Sequence, residues 1–225
     1  MTRHYWGFAV LSLLSVPATA LAQTAATIAV VPFENGGSYG RAKEEYDGLR
    51  RGIAGLLGSE LGRGAITVVA RERTQRLVDD QGAAVGDRID AQTAARIGRS
   101  AGARYVIVGT FIDLYGDFRL DARIVDTSTN EIVRVVKSDP KLSDRTQLFR
   151  IVQSVAQRIS EGLNLGGASA SQRNIPTEAV MWYGKALLYQ DRGDQKRAAD
   201  SYGEALKAFP GFAEAEDGLK RAGSE

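Results

Sequence analysis

Cysteine is absent from this 225-residue chain, and histidine occurs once, as His4. Without cysteine there are no disulfides, no thiolate metal sites and no lipid-bearing N-terminal cysteine, so the fold must be held by a packed core. With no histidine beyond His4, the body of the chain cannot assemble a Ser-His-Asp triad, a Cys-His pair or an imidazole-ligated metal. No cofactor or metal is therefore expected, and no enzymatic activity. An excess of either charge is also missing: 29 Lys and Arg stand against 27 Asp and Glu. A phosphate-tracking basic stripe needs more than that, which argues against a nucleic-acid partner.

The one extended apolar run lies at the N-terminus. Arg3 precedes the apolar stretch Trp6 to Val16, and Ala20-Leu21-Ala22 supplies a small-x-small site before Gln23. This is the order of a secretory signal, and Pro17 and Thr19 interrupt the run well short of the roughly 20 residues that a membrane span needs. Residues 1–22 are read as a signal peptide cut between Ala22 and Gln23. The remainder is expected to be exported, periplasmic and soluble, without membrane insertion. Removing the signal would also remove His4, and about 200 residues would remain, enough for a domain and a smaller appendage.

Along that remainder, Thr27 to Phe33 reads as a buried central strand, with the polar loop Glu34 to Gly40 after it. From Lys43 to Arg63, Tyr46, Leu49, Ile53, Leu56, Leu57 and Leu61 keep helical spacing. Gly48, Gly52, Gly55 and Gly58 weaken that helix by about 1 kcal/mol each, and close packing against a sheet is the expected compensation. A second strand is read at Ala65 to Ala70, short helices at 73–80 and 90–100 with Asp90 as N-cap, and strands at 104–113, 118–126 and 131–137. Tyr115-Gly116-Asp117 has hairpin chemistry. Phe118, Leu120, Ala122 and Ile124 alternate with Arg119, Asp121 and Arg123, giving one core face and one open face. A last helix spans 144–164. The expected fold is α/β (α+β), a mixed sheet of about five strands flanked by helices. Residues 23–165 form this domain, 166–176 a flexible linker rich in small residues, and 177–225 an all-helical module.

Four motifs in order, Ile28 to Asn35 (IAVVPFEN), Asp47 to Leu49 (DGL), Ile66 to Arg71 (ITVVAR) and Gly102 to Phe111 (GARYVIVGTF), followed by Arg119 to Val133, resemble the TolB-like amino-terminal domain and the periplasmic domain of CsgG-type curli production assembly proteins. The resemblance implies a non-catalytic envelope domain used in assembly, secretion or signal reception. The lipid anchor and long membrane hairpins of the curli channel are missing, so a pore is not expected.

Residues 177–222 resemble a single tetratricopeptide repeat. Trp182 and Tyr189 match its first-helix aromatics, Gly193-Asp194 its interhelix turn, Ala198, Tyr202 and Ala205 its second helix, and Pro210 its close. Lys185-Ala186 departs from the usual Leu-Gly. The resemblance implies that small Ala198 and Ala205 admit a close helix pair, that Trp182, Tyr189 and Tyr202 fill the seam, and that Phe212 to Ala222 caps one side. The other side should dock on the first domain, a second subunit or a partner. Tyr183, off the apolar face, is the candidate exposed partner contact.

Residues 36–43 only superficially suggest a phosphate loop, because the G-x-x-x-x-G-K-[ST] order is absent. Asp113, Asp117, Asp121 and Asp126 are expected at solvated turns, and Ser38, Ser59 and Ser201 have no histidine to activate them. The leading expectation is a non-enzymatic periplasmic protein-interaction or scaffold protein, related to curli/TolB-type assembly and secretion components, that binds an envelope protein or peptide through the repeat module. The alternatives are a soluble small-ligand receptor whose loops Glu34 to Gly40 and Tyr115 to Asp117 close over a solute, and a homo-oligomeric, ring-forming accessory subunit of an outer-membrane secretion system.

Overall fold

The computed structural model describes residues 26–64, 66–81, 88–165 and 172–223; the expected signal peptide and its cleavage residues Ala20, Ala22 and Gln23 lie outside them. The chain runs β1 (Thr27–Val30), β2 (Glu34–Asn35), α1 (Lys43–Gly62), β3 (Thr67–Val68), α2 (Arg71–Asp80), α3 (Ala91–Ala101), β4 (Tyr105–Leu114), β5 (Asp117–Asp126) and β6 (Glu131–Lys137). A 3-10 turn (Arg145–Gln147), α4 (Leu148–Gly162), α5 (Thr177–Asp191), α6 (Gln195–Ala208) and α7 (Ala213–Ala222) complete it. The fold is mixed α/β, and the sheet order is β3-β1-β4-β5-β6 with β2 beside β4. β1 pairs parallel with β3 and β4, and β4, β5 and β6 form an antiparallel meander.

The period-2 rule divides the core into two layers. Ile28, Val30, Ile107, Phe111, Phe118, Leu120, Ala122 and Ile124 face α1 and α4, whereas Ala29, Val31, Val106, Val108 and Val125 face the α2–α3 side. Gly109 has no room for a side chain, because a Cβ would lie 2.1 Å from the Phe33 ring and 2.6 Å from the Asp121 carbonyl. Phe33 sits on that gap and redirects the chain, so that Glu34 and Asn35 pair with Thr110 and Phe111. A short strand thus occupies the start of what the sequence presents as a loop. The two-residue turn between β4 and β5 has Tyr115 at φ +51° and Gly116 at φ +93°, matching the twist of a hairpin. Asp90 caps α3 by accepting from the Thr93 amide at 2.7 Å, and that bond holds its carboxyl below its ordinary range.

The glycines of α1 answer to two different neighbours. Gly58 and Gly62 approach Val68 of the sheet, but Gly48, Gly52 and Gly55 face α5. A Cβ on Gly48 would lie 3.1 Å from the Gly184 carbonyl carbon, and one on Gly184 would lie 2.5 Å from the Gly48 carbonyl oxygen. The expectation of packing against a sheet therefore holds only for the C-terminal end of the helix. At the other end, small residues let two helix backbones touch, and α1 covers the side of the α5–α6 hairpin that a lone helix pair would leave open.

Residues 166–171 lie outside the described part. The rest of the expected flexible linker is tied down: Ile175 is 2% exposed, and Arg173 pairs with Glu60 at 2.6 Å and Glu214 at 2.7 Å. Small residues and missing periodicity reveal that a segment is not helical; they do not reveal that one arginine and one isoleucine anchor it.

Candidate interaction surfaces

Among the described residues, large apolar side chains are exposed in two places. Tyr39, Leu114 and Tyr115 occupy one end of the sheet, while Ile132, Val133 and Val135 lie on β6. The first set stands on a rigid base. Asn35 Oδ1 accepts from the amides of Gly37 and Ser38, and Ser38 Oγ accepts from the Asp113 amide at 2.9 Å. Tyr39 N–H donates to the Asp113 carbonyl at 3.1 Å. The loop after β2 is thereby fixed to the end of β4, and the Tyr39 and Tyr115 rings come within 6.5 Å of each other.

Beneath them lies Asp113. Its carboxylate is buried, correcting the expectation of a solvated turn, and is matched by Arg145 at 2.9 Å and Arg41 at 3.5 Å. A charge at the end of a strand reads as solvated until the loops that cover it are known. Arg41 continues to Glu45 at 3.8 Å and, with Glu45, Thr177, Glu178, Met181, Trp182 and Lys185, lines a groove of about 330 Å³. Thr177 Oγ1 donates to the Arg145 carbonyl at 2.8 Å, which joins the start of α5 to the same cluster. The exposed tyrosines and the groove thus belong to one contiguous end of the molecule, built from the loop before α1, the β4–β5 turn, the 3-10 turn and α5. The loops expected to close over a solute touch each other, and the groove lies to one side of them.

Tyr183, the expected exposed contact, is only 5% exposed. Its ring packs against Phe212 at 5.1 Å and Tyr202 at 6.2 Å, and burial pushes its hydroxyl well above the ordinary tyrosine range. Because α5 is covered by α1 as well as α6, a residue off one apolar face falls on another. The half-buried aromatic that does reach a groove is Trp182, with Lys185 Nζ 5.0 Å from its ring centre.

The other repeat-packing residues are placed as follows. Tyr189 is buried and lies under Arg197, whose guanidinium carbon is 4.4 Å from its ring centre. Gly193 has φ +75° at the turn into α6, and Asp194 caps that helix by accepting from the Arg197 amide at 3.0 Å. Ala198, Tyr202 and Ala205 are fully buried. Tyr202 donates to Gln190, and burial pushes its hydroxyl up to about 12. Pro210 follows the end of α6 and is exposed.

Among the described residues, two ion-pair networks join the α5–α7 helices to the sheet layer, and sequence reading missed both because their members are far apart in the chain. Asp191, with its side chain 8% exposed, takes Arg51 at 2.8 Å and Arg71 at 2.8 Å. In the second network Arg173 bridges Glu60 and Glu214, and Ser59 donates to Glu214. Burial pushes the Glu214 carboxyl up, but the hydrogen bonds from Arg173 and Ser59 outweigh it and leave the group below its ordinary value of 4.5. A lowered carboxylate gives stability that is present above pH 4.5 and lost as pH falls through the folded-state value. Glu214→Gln is therefore expected to flatten the fall in urea midpoint below that pH; an unchanged acid slope would remove Glu214 from the account.

No protein-family model matches the chain, and no curated protein matches it. Among solved structures, the LpoB C-terminal domain from Salmonella enterica is similar at 23% identity and TM-score 0.33, over 50% of this chain and 79% of that one. TolB from Acinetobacter baumannii is similar at 16% identity and TM-score 0.41, over 62% of this chain and 28% of that one. The solution structure of LpoB from E. coli is similar at 16% identity and TM-score 0.37, over 61% of this chain and 78% of that one. Among the described residues no helix is long and apolar enough to cross a membrane.

Proposed function

We propose that this chain is a non-enzymatic interaction or scaffold protein of the cell envelope, exported to the periplasm, which binds an envelope protein or peptide at the end of the molecule bearing Tyr39, Tyr115 and Trp182. The supporting observation is the joining of exposed tyrosines and an aromatic-floored groove on one pinned base. Aromatic side chains presented on a rigid support lose little entropy on binding and dominate interface energetics. The resemblance of residues 177–222 to a tetratricopeptide repeat fits this reading, with α5 contributing the groove wall while its Tyr183 stays in the core.

A photo-crosslinking residue at position 115, irradiated in an envelope fraction, is expected to give a discrete adduct that is absent when the same residue stands at Glu204 on α6. Tyr39→Ser in the chain that carries the cross-linking residue at position 115 should lower its yield about tenfold, as loss of a hot spot would. Equal labelling from positions 115 and 204 would sink the proposal. The groove's volume of about 330 Å³ also falls within the range for small ligands, which supports the receptor reading as a second one. A saturable thermal shift with a soluble metabolite, abolished by Trp182→Ala, would favour it.

A further inference from the structure

β6 is an edge strand, and Ile132, Val133 and Val135 on it are 44%, 46% and 54% exposed. An exposed apolar edge is a template for pairing unless it is blunted. Its outward backbone groups follow from the ladder. Ser138 N–H donates to the Leu120 carbonyl, and in an antiparallel pair bonded and non-bonded residue pairs alternate. Val136, opposite Ala122, therefore bonds toward β5, while Val135, opposite Arg123, and Lys137, opposite Asp121, direct their N–H and C=O away from it. The Lys137 carbonyl meets Arg158 Nη1 at 3.3 Å on that outer side, as the alternation requires.

We propose that β6 pairs antiparallel with β6 of a second copy of this chain, about a two-fold axis beside Val135. The two Val135 residues then exchange a pair of backbone hydrogen bonds, Lys137 comes opposite Val133 of the second copy, and Arg134 comes opposite Val136. The pleat agrees: Arg134 and Val136 share one face of the sheet, and Val135 and Lys137 share the other. The same patch serves both copies, which is the self-complementarity that a two-fold contact demands.

Charge disfavours the neighbouring register. Centring the axis on Arg134 would set like charges directly opposite, which is destabilising. The irregularity of β6 opposite Ile124 and Val125 would also put Ile132 and Val136 on opposite faces. With Val135 at the centre no like charges are opposed from Val133 to Lys137. The Arg134 side chain runs over the last turn of its own α4, where a Cβ on Gly162 would lie 2.5 Å from its Cδ. Lys137 stands across from its own Asp121, and Glu131 of the second copy follows two residues beyond Val133. This surface is separate from the proposed partner surface, so either reading can fail without the other.

Because the chain has no cysteine, Val135→Cys introduces a single thiol. Cα atoms of a hydrogen-bonded antiparallel pair are about 5.5 Å apart, within disulfide range. Mild oxidation is expected to give a covalent dimer, while Arg119→Cys, on the same face of β5, stays monomeric. Sedimentation of the unmodified chain should show a concentration-dependent dimer, weakened about tenfold or more by Val135→Lys, with circular dichroism verifying its fold, and retained by Val135→Thr. A monomer at every concentration, or cross-linking no better from position 135 than from position 119, overturns the proposal. So does a dimer that Val135→Lys leaves unchanged.

Discussion

Gly184→Ala is expected to destabilise the protein by about 3 kcal/mol, at the upper end of overpacking costs. A single methyl group suffices because its neighbours are backbone: the added carbon would lie 2.5 Å from the Gly48 carbonyl oxygen and 2.8 Å from its carbonyl carbon. A flexible side chain could turn aside, but a helix backbone cannot, so α1 and α5 must separate. Separation loosens the Arg51–Asp191 pair and the packing of Tyr183 on Gly55 together. Gly203 provides the control, since it lies within α6 with nothing inside 4 Å of its missing Cβ. Gly203→Ala should stabilise by up to about 1 kcal/mol through helix propensity alone. Urea unfolding of the two variants should shift the midpoint in opposite directions. A shift of the same sign and size would mean that the α1–α5 crossing is looser than the geometry requires.

Asp191→Ala should cost about 3–5 kcal/mol, the range for removing one member of a buried ionic group. The carboxylate is at the last residue of α5 and takes Arg51 of α1 and Arg71 of α2, each at 2.8 Å. Its loss leaves the Arg51 and Arg71 guanidiniums without the carboxylate they share, and among the described residues only Glu72, 3.5 Å from Arg71, remains as a carboxylate partner. They cannot neutralise by losing a proton, so the site must open to water. Arg71→Leu in the Asp191→Ala background should recover part of the loss, because it removes one of the stranded charges. Additive effects in that double-mutant cycle would show that the three residues are not one network. By contrast Arg119, 71% exposed and 3.4 Å from Asp117, can be replaced with little effect, as surface pairs contribute little.

How much of this was legible in the sequence differs by element. The alternation from Phe118 to Ile124 marked a strand with one buried face, and Asp90 marked the start of α3, because both signals are local. The turn at Tyr115-Gly116 followed from its residue types. Tyr183 could not be placed in the same way. In α5, Ala179, Val180, Tyr183, Gly184, Ala186, Leu187, Leu188 and Tyr189 are all buried, and a helix covered on several sides has no single polar face from which to read exposure.

The residue chemistry of the chain, no cysteine and a lone His4, was settled by the sequence, and so was the succession of apolar faces that makes an α/β layer followed by helices. Only the tertiary structure decided which faces meet. It set Gly48 and Gly52 of α1 against Gly184, buried Asp113 between Arg41 and Arg145, and brought Tyr39 to Tyr115 and Arg173 to Glu214. The reason is physical: periodicity records that a surface is buried, while the identity of what buries it depends on contacts between residues as far apart as Arg51 and Asp191.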